Sequence, residues 1–253
     1  MTPLNLAEIE RLVTTAAVGR HISYFPSTGS TMDDARRLAE EGAPHGSIVI
    51  ADEQTAGRGR FARHWVSPSG TNLYLTLLVR PEVARLRTLS MVAPLAVCRA
   101  VKAVTGLAPM IKWPNDVQIG GRKLSGILIE SELSGAEVNY ALIGIGLNVN
   151  DPIADREIAE IATSLAREIG RDLSREAVLA ALLNEFEALY ESADVYARWR
   201  ERVITLGQDV RVTFRADVYE GLAEDVDADG SLVLRLHDGS LMTFEAGEVS
   251  LRA

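Results

Sequence analysis

Three arginines stand among glycines and small residues in Ala56-Gly57-Arg58-Gly59-Arg60-Phe61-Ala62-Arg63-His64-Trp65. Glycine lets a backbone come close to a ligand, and each guanidinium presents a planar fork of donors that suits carboxylate or phosphate. The chain carries a formal net charge of −9, so this positive charge is a local feature. Two lysines stand further along. Lys112 lies in Ile111-Lys112-Trp113-Pro114-Asn115-Asp116, and Lys123 follows Gly120-Gly121-Arg122 and leads through Leu124-Ser125-Gly126 into the apolar Ile127-Leu128-Ile129. A third segment, Gly144-Ile145-Gly146-Leu147-Asn148, removes side chains from one strip of a strand, over which a flat ring can lie. Taken singly, each has an ordinary alternative: a solvated loop, surface lysines, an Asn-Asp turn, a pair of glycines at a β-bulge.

The elements needed to position these residues can be read from periodicity. Asn5-Leu6-Ala7-Glu8 resembles a capping box and opens a short amphipathic helix with Leu6, Ile9, Leu12 and Val13 on one side. A strand near Ile22 to Phe25 precedes a helix over Thr31 to Glu41 with Ser30 as its cap. Ser47 to Ala51 reads as a buried strand that delivers Gln54 to the root of the arginine loop, and Asn72 to Val79 as a central strand. Helix signals follow over Thr88 to Thr105 and again from Asp151 to about Glu201, most clearly over Arg175 to Tyr190 with Ser174 as cap. Beyond Gly207 come short β-rich runs over Val210 to Phe214, Val218 to Val226, Leu232 to Leu236 and Leu241 to Phe244. Asp-Gly turns at Asp229-Gly230 and Asp238-Gly239 separate the later runs, as in a small barrel.

The arginine loop, Lys-Trp-Pro-Asn-Asp and Lys123-Leu124-Ser125-Gly126, with Ser30-Thr31, Gln54 and Gly144 to Asn148, resemble the motifs of biotin-protein ligases in order and spacing. The resemblance runs from about Tyr24 to the C-terminus. It implies an α+β fold: a mixed β-sheet flanked by helices, like class II aminoacyl-tRNA synthetases and biotin/lipoate ligases, plus a small SH3-like β-barrel. We expect a catalytic domain over 1–205 and the barrel over 206–253. The resemblance implies that biotin contacts Ser30, Thr31, Met32, Gln54, Gly57, Arg58, Gly59, Arg60, Lys123, Gly126, Gly144 and Gly146. It implies that ATP contacts Arg58, Arg60, Arg63, Trp65, Lys112, Asn115, Asp116, Lys123 and Asn148, with Asn115 and Asp116 serving ribose or Mg²⁺. Arg60, Lys112 and Lys123 are the expected catalytic residues, Arg60 being the latch of a loop that folds over the intermediate. The chain departs from the family pattern at Met32, where asparagine is usual, and at Phe61-Ala62, where Arg-Gly is frequent.

The implied reaction joins the carboxylate of biotin to the α-phosphate of ATP and then passes the acyl group to a lysine of a biotin carboxyl carrier protein, such as that of acetyl-CoA carboxylase. It needs no enzyme nucleophile, and no Ser/His/Asp or Cys/His constellation stands out. His21, His45, His64 and His237 are too dispersed for a zinc site, and no protein metal ligands are assigned with certainty. The single cysteine, Cys98, sits in an apolar helical pattern and reads as a buried, inert thiol. No apolar run approaches a membrane span and no signal-peptide pattern opens the chain, so a cytoplasmic location is expected. Too few residues precede Tyr24 for a helix-turn-helix domain, and the C-terminal segment is acidic, so DNA is not an expected partner. A homodimer stays open. Two other readings stand beside the main one, a lipoate-protein ligase using the same adenylation logic and a biotin sensor without turnover.

Overall fold

A computed structural model describes residues 3–251 except residue 216, with the backbone alone at residue 251. Helix α1 (Leu6–Leu12) starts where the Asn5 side chain accepts the backbone N–H of Glu8, as the capping pattern predicts. Strand β1 (Ile22–Phe25), helix α2 (Thr31–Glu40), β2 (Ile48–Ala51) and β3 (Leu73–Val79) follow. A short α3 (Val83–Leu86), not foreseen from periodicity, precedes α4 (Leu89–Thr105), which ends on Gly106 in the left-handed region at φ +77°. Next come β4 (Met110–Lys112), β5 (Asp116–Ile119), β6 (Arg122–Ser134) and β7 (Glu137–Leu147).

These seven strands form one sheet in the order β1-β2-β3-β7-β6-β5-β4. Only β1 and β2 pair in parallel, so the sheet is mixed, as expected. Period-2 alternation sorts the side chains between two layers. Ile48, Ile50, Leu75, Leu77, Ile143 and Ile145 point into the main core beneath α4 and the later helices. Val49, Leu78 and Leu142 point the other way, against Met32, Ala35 and Ala39 of α2. The same alternation puts Gly126, Leu128, Gly144 and Gly146 on the α2 face. The pairing Gly126↔Gly146 and Leu128↔Gly144 is regular there, so the glycines do not mark a bulge.

The stretch from Asp151 is broken into α5 (Arg156–Ile161), α6 (Leu165–Ile169), α7 (Arg175–Tyr190) and α8 (Val195–Arg200), because Asp155, Ser164 and Ser174 each cap a fresh start with a side-chain acceptor. At the base of α7, Arg175 is buried and donates to Asp52 at 2.6 Å, just beyond β2. Asp52 also accepts from Tyr24, so the root of the arginine loop is tied to two elements of the frame.

Strands β8 (Asp209–Phe214), β9 (Asp217–Val226), β10 (Leu232–Leu236), β11 (Leu241–Phe244) and β12 (Glu248–Leu251) form a second, antiparallel sheet in the order β11-β10-β9-β8-β12. Strand β12 was missed in the sequence because it is four residues long and opens on a charged residue. The second sheet is joined to the first through Trp113, whose Nε1 donates to the carbonyl of Gly230 at 2.9 Å and whose backbone N–H donates to Thr205. The Lys-Trp-Pro-Asn-Asp turn therefore rests on both sheets.

Cys98 lies on α4, fully buried, and burial pushes its thiol up to about 12. A thiol whose pKa lies that far above neutrality stays protonated and poorly nucleophilic. We expect the folded protein to react with a thiol-specific reagent such as Ellman's reagent far more slowly than the denatured chain; equal rates would place Cys98 at the surface.

Candidate functional site

The C-terminal ends of β2 and β7, the glycine strip and the start of α2 enclose a cavity of about 540 Å³, within the range of small-molecule sites. Every site residue inferred from the sequence lines it except Gly57. Gly57 is buried behind the wall, where an added Cβ would lie 2.7 Å from the carbonyl oxygen of Trp65. Its smallness serves the close crossing of the two arms of the loop, so we correct it from ligand contact to loop packing.

The start of α2 supplies Ser30, Thr31 and Met32. Ser30 occupies the cap position, but its hydroxyl makes no capping hydrogen bond, which corrects the expected role. The Ser30 Oγ is buried and has no hydrogen-bond partner, although the residue lines the cavity. A buried hydroxyl left so is costly, and a polar ligand atom would relieve it. Thr31 donates to Gln54 Oε1 from its backbone N–H at 2.9 Å and from its hydroxyl at 3.1 Å. The Gln54 amide nitrogen in turn donates to Ser67. Thus Gln54 fastens the loop root to α2, with the Thr31 hydroxyl also accepting from Thr76. The Met32 thioether packs over Gly144, where an added Cβ would fall 2.9 Å from its sulfur.

The arginine loop is a narrow hairpin. Trp65 N–H donates to the Gly57 carbonyl and Gly59 N–H to the Arg63 carbonyl, while residues Arg60–Ala62 make a single 3₁₀ turn at the tip. Phe61 and Ala62 both sit at φ +55°, a region that costs an L-residue about 1–2 kcal/mol and a glycine nothing. Glycine's frequency at the position of Ala62 in the resembled family thus has a conformational reason.

The five cations converge on one cavity from separate elements, and their partners differ. Arg58 is held in a bidentate pair by Asp33, 2.7 Å on each side. Arg63 pairs with Glu248 of β12. Lys123 reaches Asp116 at 2.7 Å across the β5–β6 hairpin. Arg60 donates to the Asn115 side-chain oxygen at 3.1 Å, and burial holds its guanidinium below the usual value although still charged at neutral pH. Among the described residues no carboxylate lies within ion-pair distance of Arg60 or Lys112. Arg63 holds the Glu248 carboxyl below the ordinary carboxylate range, and Arg58 does the same for Asp33. Asp33 and Glu248 were both missed from sequence, since single acids far from the motif carry no spacing signal.

Asn115 also donates to the Ile127 carbonyl at 2.6 Å, and Asn148 to the Thr163 carbonyl at 3.0 Å. Both amides therefore brace the walls they line. The glycine strip is not bare. The Trp65 indole lies across it, so a Cβ on Gly146 would fall 2.4–2.6 Å from the ring and one on Gly126 2.9 Å from it. The Trp65 Nε1 is buried without a partner, and the Lys123 ammonium stands 5.3 Å from the ring centroid. The opposite rim is apolar, with Phe61, Val66, Ile158 and Ile161 exposed at the cavity. Among the described residues no three His, Cys, Asp or Glu side chains cluster as a metal cage.

Residues 24–148 match the model of the Biotin/lipoate A/B protein ligase family, and residues 205–252 match that of the Biotin protein ligase C terminal domain. The bifunctional ligase/repressor BirA of Bacillus subtilis is 33% identical over 253 residues, covering 96% of this chain and 78% of that protein. A biotin–acetyl-CoA-carboxylase ligase of Mycobacterium tuberculosis is 33% identical over 254 residues, covering 95% and 92%. The biotin protein ligase of Aquifex aeolicus, solved with biotin and ATP, superposes with a TM-score of 0.76 at 28% identity over 92% of this chain and 99% of that one. On these matches the chain belongs to the Biotin/lipoate A/B protein ligase family.

Proposed function

We propose that the protein is an ATP-dependent biotin-protein ligase. The observation that carries this reading is the convergence of Arg60, Lys112 and Lys123, from the loop, β4 and β6, on one cavity that also holds the unpartnered Ser30 hydroxyl. Biotin offers a carboxylate for the cations and a polar ureido ring for the hydroxyl. Its attack on the α-phosphate of ATP forms the acyl–phosphate bond of biotinyl-5′-adenylate and releases pyrophosphate. A carrier lysine then attacks the acyl carbon, forming an amide and releasing AMP.

Each step is one of position and charge. Lys123 sits between Asp116 and the indole of Trp65, placed to exchange its carboxylate partner for the oxygens of the reacting carboxyl and phosphoryl groups. Arg60, at the tip of the loop and without a carboxylate partner among the described residues, is placed to follow the charge onto the adenylate and hold the loop over it. Lys112 offers a further donor to the phosphates. The apolar rim of Phe61, Val66, Ile158 and Ile161 limits water at the mouth, which protects a mixed anhydride. Asp116, which lines the cavity, would help hold the Mg²⁺ that accompanies ATP, a cation that commonly uses one or two carboxylates plus phosphates and would offset phosphate charge.

The protein partner is a carrier domain. The same reading places the enzyme in the cytoplasm, where ATP is available, and leaves DNA with no role at the acidic second sheet. In a mixture of protein, biotin and Mg·ATP, hydroxylamine should trap biotinyl hydroxamate and an added carrier domain should be labelled. Labelling with lipoate alone would move the substrate to the other branch of the family, and neither product would leave a binding protein.

Lys123→Ala should lower the rate of adenylate formation by about 10²–10³, the cost of losing one oriented charge at developing negative oxygen; an unchanged rate would remove Lys123 from the chemistry. Arg60→Ala should release adenylate faster while biotin binding persists, measured by chase of labelled adenylate. Gly146→Ala should drive the Trp65 indole off the strip, seen as a shift in tryptophan emission together with weakened biotin binding. An unaltered spectrum would contradict the stacking.

A further inference from the structure

Lys123 stands where the pairing of β6 fails on both sides. Along β5 the register steps from Val117↔Ser125 to Gln118↔Lys123, so Leu124 is an extra residue and the strand carries a β-bulge. On the other side β7 ends at Leu147, opposite Ser125. The bulge decides where the lysine points. Strict alternation would turn Lys123 toward the main core with Ser125 and Ile127, but Leu124 takes the inward place instead. Lys123 comes out on the face of Gly126, where its ammonium lies 3.3 Å from the position a Gly126 Cβ would occupy, and it lines the cavity.

A backbone displaced in this way needs other support, and the segment between α5 and α6 supplies it. Ala162 forms a parallel bridge with Lys123, and the Thr163 N–H donates to the Lys123 carbonyl at 2.9 Å, in the place a longer β7 would fill. Glu168 on α6 then closes a ring around the lysine. Its Oε1 accepts from Arg122, the residue before Lys123, at 2.8 Å and also from the Thr163 hydroxyl. Thr163 is fully buried and most of the Glu168 side chain is shielded, so these hydrogen bonds gain from a local dielectric below that of water.

We propose that Glu168 is a positioning residue for Lys123: by clipping Arg122 to Thr163 it holds the bulged start of β6, so that the ammonium stays turned into the cavity. The part Lys123 plays in the chemistry rests on the ligase reading, whereas the clip itself does not. Glu168 stands outside the cavity lining and acts through the lysine. An oriented charge counts most where negative charge develops, so Glu168 bears on the chemical step more than on binding.

The chain has three lysines, Lys102, Lys112 and Lys123, which gives the clip a readout apart from activity. Lys102 is exposed on α4 and serves as the internal standard. When ligand-free protein is treated briefly with acetic anhydride and its peptides are weighed by mass spectrometry, Glu168→Ala should raise the Lys123-to-Lys102 labelling ratio several-fold, because the ammonium is no longer held against Asp116. Glu168→Gln, which keeps an acceptor oxygen, should restore most of the protection. Thr163→Val, which removes only the hydroxyl, should give a smaller rise. In carrier-free, biotin-dependent exchange of pyrophosphate into ATP, Glu168→Ala should lower the rate at saturating substrates about ten-fold, since a misplacement of roughly 1 Å can cost up to about 10²-fold. KM for biotin and for ATP should stay within about two-fold, a split that a loosened wall would not give. In a Lys123→Ala background the same substitution should cost less than about two-fold, because the two residues act as one unit. Wild-type labelling and exchange in Glu168→Ala, or a full ten-fold loss persisting without Lys123, would overturn the clip. Should Glu168→Ala fail to fold, Thr163→Val decides by the same two readouts. Exchange absent from the wild type would count against the ligase reading, and a raised labelling ratio in Glu168→Ala would still support the clip.

Discussion

A carboxylate and a polyphosphate repel each other, and no reaction between them proceeds until fixed positive charge surrounds the point where they meet. That constraint explains why an acidic chain brings five cations, Arg58, Arg60, Arg63, Lys112 and Lys123, to one cavity. Fixed charge in a partly dehydrated site is worth far more than the same charge in water. It is also a liability before substrate binds, because close cations repel one another. The structure answers with carboxylates at Asp33, Glu248 and Asp116, each drawn from a different element. Among the described residues Arg60 and Lys112 have no ion-pair partner, so the deficit of negative charge points into the cavity.

The frame follows from the same demand. Cations on one flexible segment would spread apart, whereas strands β4 and β6 deliver Lys112 and Lys123 from a sheet anchored in the main core through Ile111, Leu124 and Ile127. The Asp52–Arg175 pair and the Thr31–Gln54 hydrogen bonds fix the root of the arginine loop. The second sheet takes part as well, since Glu248 reaches the loop and Gly230 receives the indole N–H of Trp113. A ligand thus meets a site whose walls are fixed.

Much of this was legible in the sequence. The alternation of Ile127 to Ile129 and Val138 to Leu147 marks strands, Ser174 and Gly106 mark helix ends, and the motif residues other than Gly57 do meet on one cavity. What was not legible has a common cause. The pairing of Arg58 with Asp33 and of Arg63 with Glu248 depends on tertiary placement, across 25 and 185 positions of chain. No local pattern announces such an acid. The cover of Met32 and Trp65 over the glycine strip is likewise a packing result: the missing Cβ atoms predicted a flat wall, but not which side chains of the protein itself would lie on it. Ser30 shows the reverse case, a residue in the right place for a cap whose buried hydroxyl makes no capping bond.

The most direct test of the charge account is biotin-dependent exchange of labelled pyrophosphate into ATP, measured on the purified protein with Mg²⁺ present and no carrier. The exchange reports only the meeting of carboxylate and α-phosphate. The account predicts exchange that requires biotin and weakens steeply as salt rises, because the cations at the mouth are screened. Absence of biotin-dependent exchange from folded protein that binds both substrates would contradict it.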